Sequence, residues 1–126
     1  IYLNRSAELT VSVYAGQSPL SNRLGLKVVP AQMPLGICTS SGTVGHSLSF
    51  GLADSVTVLA DSAFLADAAA TRLGNEVGSA GKSGKGIEQA LEVAKSIPLL
   101  RGVLIICGEK IGALGEIELT PLSGDR

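Results

Sequence analysis

Asp67 and Thr71 carry the clearest potential for chemistry in this sequence, because residues four apart on a helix lie one turn apart on the same side. In the predicted helix, Arg72 is the only other charge within two turns of Asp67. A helix with so little charge is usually covered, so we expect Asp67 to be partly buried and to need a partner. Three partners remain open: a backbone amide of a neighbouring Ser/Gly loop, a cation such as Arg23 or Arg72, or Mg²⁺ bound by the Asp67 and Thr71 oxygens.

That Ser/Gly loop is rich in hydroxyls and backbone donors, and it comprises Thr39, Ser40, Ser41, Gly42 and Thr43. Such a loop can hold phosphate oxygens or a carboxylate, and it can equally be an ordinary hairpin connection. His46 follows it and is the only histidine of the chain. Either it is a structural residue with satisfied hydrogen bonds, or it is a group that titrates near neutral pH.

A second glycine-rich segment, residues 78–86, superficially looks like a phosphate-binding loop. Gly81-Lys82-Ser83 would need a glycine at position 76, where the chain has Glu76. The segment also follows a predicted helix instead of a strand. We therefore interpret it as a linker between two helices.

Composition excludes several classes of protein. Hydrophobic residues make up 45% of the chain but aromatic residues only 3%, so Leu, Val, Ile and Ala must form the core. A net charge of −1 without a basic, aromatic-rich patch argues against nucleic-acid binding. The longest apolar run is too short to span a membrane. Cys38 and Cys107 form no CxxC motif, which predicts buried, reduced thiols and a cytoplasmic protein.

The periodicity predicts an α+β domain with a largely antiparallel sheet and two helices packed on one side of it. The helices are expected at residues 63–77, capped by Asp61 or Ser62, and at residues 86–97. One sheet should contain the strands at residues 8–15, 24–30 and 55–60. Further strands are predicted at residues 35–39, 102–108 and 116–119, with weak alternation at residues 46–50.

Several segments, in order, resemble a known family. Ile1-Tyr2-Leu3 looks like the strand after an Asn-x-Gly-Gly-Asp motif, and residues 37–42 look like an Ile-x-Thr-Ser-Gly loop. Residues 56–60 and then 66–71 look like a strand followed by Ala-Asp-Ala-x-x-Thr. These motifs resemble the ApbE family of flavin transferases, which attach FMN to proteins using FAD and Mg²⁺. The loop and the helix look most like those of a prokaryotic branch of this superfamily.

The resemblance implies a function and a site. Asp67 and Thr71 would bind Mg²⁺, and His46 would be the catalytic residue. The flavin diphosphate of FAD, a small-molecule nucleotide, would lie beside the segment made of Thr39, Ser40, Ser41 and Gly42. The family has an Ile-x-Asp-Pro run after its histidine, whereas here residues 47–51 read Ser-Leu-Ser-Phe-Gly. This departure favours an alternative: a binding or scaffold domain that keeps the fold without transferase activity.

The start of the chain resembles the end of a strand already under way. We therefore expect residues 1–126 to be the C-terminal part of a single ApbE-like domain. The upstream part of that domain, or a companion chain, would then be a partner, and a second copy of the chain is a further option. Alone, the chain should be poorly soluble, because a bare strand edge and apolar surface would be exposed.

Overall fold

A computed structural model describes residues 1–15, 19–40, 55–79 and 86–122. Within these ranges the secondary structure confirms the predicted α+β class. The helices are α1 (Ala63–Ser79), α2 (Gly86–Lys95) and a short 3-10 helix (Pro30–Gln32). The strands are β1 (Tyr2–Leu3), β2 (Leu9–Ser12), β3 (Leu24–Val28), β4 (Leu35–Ser40), β5 (Ser55–Ala60), β6 (Leu100–Cys107), β7 (Lys110–Gly115) and β8 (Leu119–Pro121).

The described strands pair in the predicted antiparallel sense but divide between two sheets. A central sheet has the order β1-β4-β5-β6-β7, and a small sheet has the order β2-β3-β8. The prediction that residues 8–15, 24–30 and 55–60 share one sheet is therefore wrong, since only the last segment belongs to the central sheet. The physical reason is that β5 is buried at all six positions, so both faces of the central sheet need a covering layer.

Two apolar clusters hold these three layers together. On one face of the central sheet, both helices pack as predicted, and the cluster includes Val56, Val58, Leu73, Ala90, Val103 and Ile105. On the other face the small sheet packs, and the cluster includes Leu26, Val28, Ile37, Leu59, Leu104 and Ile106. Leucine, valine, isoleucine and alanine thus build the core, as the low aromatic content predicts.

Helix α1 begins where its sequence provides a cap. The Ser62 hydroxyl accepts a hydrogen bond from the Leu65 backbone N–H at 3.1 Å, which satisfies one of the free amides of the first turn. Gly36 on β4 then allows a very close approach, because a Cβ there would collide with the Ser62 and Ala63 backbone. In the described residues, neither helix is long and apolar enough to cross a membrane.

The C-terminal half differs from the prediction in detail. The strand predicted at residues 102–108 is β6, and the one predicted at residues 116–119 begins later, as β8. Strand β7 was not predicted. Gly112 within it allows α2 to pack closely, because a Cβ there would collide with the Ile87 side chain of that helix. Helix α2 ends at Lys95, two residues earlier than predicted.

Arg101 on β6 ties the start of α1 to the rest of the fold. Its guanidinium donates to the Gln32 carbonyl oxygen at 2.7 Å and to the Glu116 carboxylate at 3.1 Å. The same group lies 3.7 Å from the Asp61 carboxylate, just before α1. Bidentate pairing with Glu116 fixes the orientation of the guanidinium, and the ion pair with Asp61 links it to the residues just before α1.

Candidate functional site

Asp67 and Thr71 both lie on the exposed side of α1. Leu73 and Ala69, on the opposite side of the helix, are buried in the core. The expectation that Asp67 is partly buried is wrong, since its side chain is exposed. The helix has few charges for a different reason: some of its outward positions are occupied by uncharged residues, such as Phe64 and Ala68.

The Asp67 carboxylate has a neighbour that sequence reasoning missed. The Cys38 thiol of β4 lies 3.5 Å from Asp67 Oδ1 and donates a hydrogen bond to it. Burial raises the pKa of this thiol above its ordinary value of 9.0, and the hydrogen bond to the negative Asp67 raises it further. Arg72, one of the predicted cationic partners, instead pairs with Glu76 at 3.2 Å. Cys38 and Cys107 form no disulfide, and both are partly buried instead of buried as predicted.

Strand β4 also brings Ser40 to α1. Ser40 Oγ lies 3.8 Å from the point that a Cβ on Gly74 would occupy, so the hydroxyl faces the helix two turns beyond Asp67. The facing surfaces of β4 and α1 therefore carry Cys38 and Ser40 on one side and Asp67, Thr71 and Gly74 on the other. We call these five residues the β4–α1 groove.

Thr39 lies on the other face of the central sheet. Alternate residues of a strand point to opposite faces, and its hydroxyl is 2.9 Å from the Thr57 hydroxyl of β5. Its side chain is thus directed away from Asp67, although its backbone adjoins the groove. The remaining predicted site residues, Ser41, Gly42 and His46, lie outside the described residues.

Two hydroxyls on β5 were also missed as site candidates. Thr57 is 3% exposed, and Ser55 is fully buried. The Ser55 hydroxyl has no hydrogen-bond partner among the described residues. The signal was present in the sequence, because Ser-Val-Thr alternation places two hydroxyls on one face of an otherwise apolar strand.

The donor set of the β4–α1 groove fits a hard cation. Asp67 offers a carboxylate and Thr71 a hydroxyl, and exposure of both leaves coordination positions for water or phosphate, as Mg²⁺ prefers. Over the described ranges, no three His, Cys, Asp or Glu side chains form a metal cluster.

Sequence comparison shows which known proteins this chain resembles. Residues 1–119 match the family described as AbpE bacteria. A UPF0280 protein of Methanosarcina acetivorans is 48% identical over 117 residues, which cover 93% of this chain and 45% of that protein. UPF0280 proteins of Methanococcus maripaludis strain C5 and Methanococcus vannielii are 48% and 46% identical over 119 residues, covering 93% of this chain and 47% of each relative. The chain thus spans about half the length of the curated relatives it matches.

Proposed function

Since this chain belongs to the AbpE bacteria family, we propose that it is part of an ApbE-like domain that binds a flavin nucleotide, or a related diphosphate, together with Mg²⁺. The observation that carries the proposal is the pair Asp67 and Thr71, exposed one turn apart on α1. Asp67 lies beside β4, the strand that leads into the Ser/Gly loop. The resemblance in the loop and helix motifs supports the choice of a flavin nucleotide.

In this proposal the residues of the groove have distinct roles. The Asp67 carboxylate and the Thr71 hydroxyl hold the cation, and Ser40 is placed to donate a hydrogen bond to a phosphate oxygen. Bound Mg²⁺ would stabilise the negative charge that develops on a leaving phosphate. Cys38 donates to Asp67 through its thiol, which orients the carboxylate.

The catalytic version of this function is transfer of FMN from FAD to a protein acceptor, with His46 in the catalytic role. The alternative is a binding or scaffold domain without turnover. One observation favours it: residues 47–51 lack the Asp-Pro that follows the histidine in the transferases. Incubating the protein with FAD, Mg²⁺ and candidate acceptor proteins, and measuring covalent flavin by in-gel fluorescence, separates the two.

Calorimetric titration with FAD, with and without Mg²⁺, tests the binding proposal. We expect Asp67→Ala to weaken Mg²⁺-dependent FAD binding roughly 100-fold or more, because a charged ligand is lost. The fold should survive, since Asp67 is exposed and its hydrogen bond to Cys38 is a weak one. Glu88→Ala is the matched control, because it removes an exposed carboxylate from α2 instead.

Two results would contradict the proposal. Equal FAD affinity for the wild-type protein and Asp67→Ala would exclude a metal role for Asp67. Unfolding of Asp67→Ala, with Glu88→Ala still folded, would show that Asp67 is a structural partner of its surroundings. His46→Ala addresses the alternative: loss of transfer with retained binding supports a transferase, whereas absence of transfer in both proteins supports a scaffold.

A further inference from the structure

Three hydroxyls form a row on the face of the central sheet that is opposite to the helices. Thr39 of β4 and Thr57 of β5 are directly opposite each other in the sheet, and their hydroxyl oxygens are 2.9 Å apart. Ser55 lies two residues before Thr57 on β5, so its side chain emerges on the same face. We call Thr39, Thr57 and Ser55 the hydroxyl row.

Ser55, at the inner end of the hydroxyl row, is buried, and its hydroxyl lacks a hydrogen-bond partner among the described residues. Thr39 is exposed, Thr57 is 3% exposed and Ser55 is 0% exposed. Thr57 has Thr39 as its partner, whereas the Ser55 hydroxyl has none among the described residues. Native proteins rarely keep a buried hydroxyl unpaired, because its lost hydration is not repaid. The Ser55 hydroxyl therefore calls for a group that these residues do not supply.

The surroundings of the row restrict the chemistry of that group. Ser55 pairs with Ile106 across the sheet, and the same face carries Leu59 and Leu104 in the apolar cluster under the small sheet. None of the three hydroxyl residues is charged. A phosphate or carboxylate would lose its hydration here without a compensating cation, so an uncharged hydroxyl or carbonyl group fits better.

The row and the β4–α1 groove lie back to back on one strand. Cys38 and Thr39 are neighbours on β4, and they point to the helix side and the small-sheet side respectively. Strand β1 pairs with Leu35 and Gly36 of β4, and Ile1 exchanges two backbone hydrogen bonds with Ile37. Beyond Ile37, no described strand pairs with this edge of β4, and Thr39 there is exposed. A ligand with its charged part at Asp67 can therefore extend around the edge of β4 to Thr39, the exposed end of the hydroxyl row.

We infer that the Ser55 hydroxyl, flanked by Thr57 and Thr39, hydrogen-bonds an uncharged hydroxyl or carbonyl group of the bound nucleotide. This inference rests on the proposed function and adds a second contact to it. Ser55 then determines affinity for the neutral part of the ligand, while Asp67 determines affinity for its metal-bound diphosphate.

Ser55→Ala tests the inference through two measurements on the same variant. Without ligand, the variant should melt at the wild-type temperature or above it, because an unpaired buried polar atom has been removed. With FAD and Mg²⁺, calorimetry should show affinity lowered roughly three- to tenfold, as for one neutral hydrogen bond. Thr57→Val is the stability control: it removes a paired hydroxyl at nearly constant shape, so its melting temperature should fall. Ser96→Ala, exposed at the end of α2, is the affinity control.

The outcomes separate this inference from the proposed function. A lower melting temperature for unliganded Ser55→Ala would show that the hydroxyl is already paired within the protein, and would overturn the inference alone. Unchanged FAD affinity of that variant, with wild-type binding intact, would do the same. A wild-type protein that binds no FAD overturns both. Inorganic pyrophosphate with Mg²⁺ is the second probe, since an equal loss of its affinity would contradict contact with a neutral group.

Discussion

Gly36→Ala is the substitution that most directly tests how β4 and α1 are placed against each other. A Cβ at this position would lie 2.5 Å from the Ala63 backbone nitrogen and still closer to the Ser62 carbonyl group, which no real contact tolerates. The atoms in the way belong to the backbone, which cannot change rotamer as a side chain could. The start of α1 must move away from the sheet.

The expected cost is at the upper end of that for overpacking a core, about 3 kcal/mol. Displacement of Ser62 would also strain the cap that its hydroxyl provides for the Leu65 amide, a contact worth about 1 kcal/mol. For a domain of this size, a loss of about 3 kcal/mol lowers the melting temperature by about 10 °C. Urea unfolding followed by circular dichroism measures the free energy directly.

Gly74→Ala is the matched control for Gly36→Ala. Among the described residues, its new Cβ would meet only Ser40 Oγ, at an ordinary 3.8 Å, and Gly74 lies inside α1. Replacing a glycine in a helix interior should stabilise the protein by about 0.5–1 kcal/mol. Wild-type stability of Gly36→Ala would refute the close approach of α1 to β4, and with it the contact between Asp67 and Cys38.

Two further predictions concern titratable groups. The Arg101 guanidinium holds the pKa of Glu116 below its ordinary value of 4.5. This pair therefore stabilises the fold at neutral pH. The stabilisation is lost as the pH falls through and below that value. Glu116→Gln should therefore cost about 0.5 kcal/mol at neutral pH and flatten the acid dependence of the melting temperature, whereas an unchanged profile would contradict the pairing. In a Cys107→Ser background, Asp67→Asn should speed alkylation of Cys38 several-fold, because the charge that raises the thiol pKa is removed; an unchanged rate would argue against their contact.

Local sequence signals predicted the elements that position the site. β5 lies at the predicted residues, and α1 starts at the predicted residue because Ser62 caps an alanine- and leucine-rich run. The two sheets could not be predicted in the same way. Alternation in β2 and β3 shows that one face of each is buried, but it does not show which surface covers it.

The contacts that depend on distant residues were missed for a similar reason. Helical periodicity was enough to place Asp67 and Thr71 on one side of α1. The contact of Asp67 with Cys38 joins residues 29 positions apart, and it exists because β4 packs along the helix. The buried state of Ser55 likewise depends on the second sheet, since a strand with one open face would leave its hydroxyl in water.

The most direct measurement for the central claim is a crystal structure of the protein soaked with FAD and Mn²⁺ in place of Mg²⁺. Anomalous scattering locates the Mn²⁺ independently of the surrounding density. Our account predicts one strong anomalous peak bound by the Asp67 carboxylate and the Thr71 hydroxyl, with the diphosphate of FAD completing its coordination. FAD bound without a peak at these two residues, or a peak at another place in the protein, would contradict it.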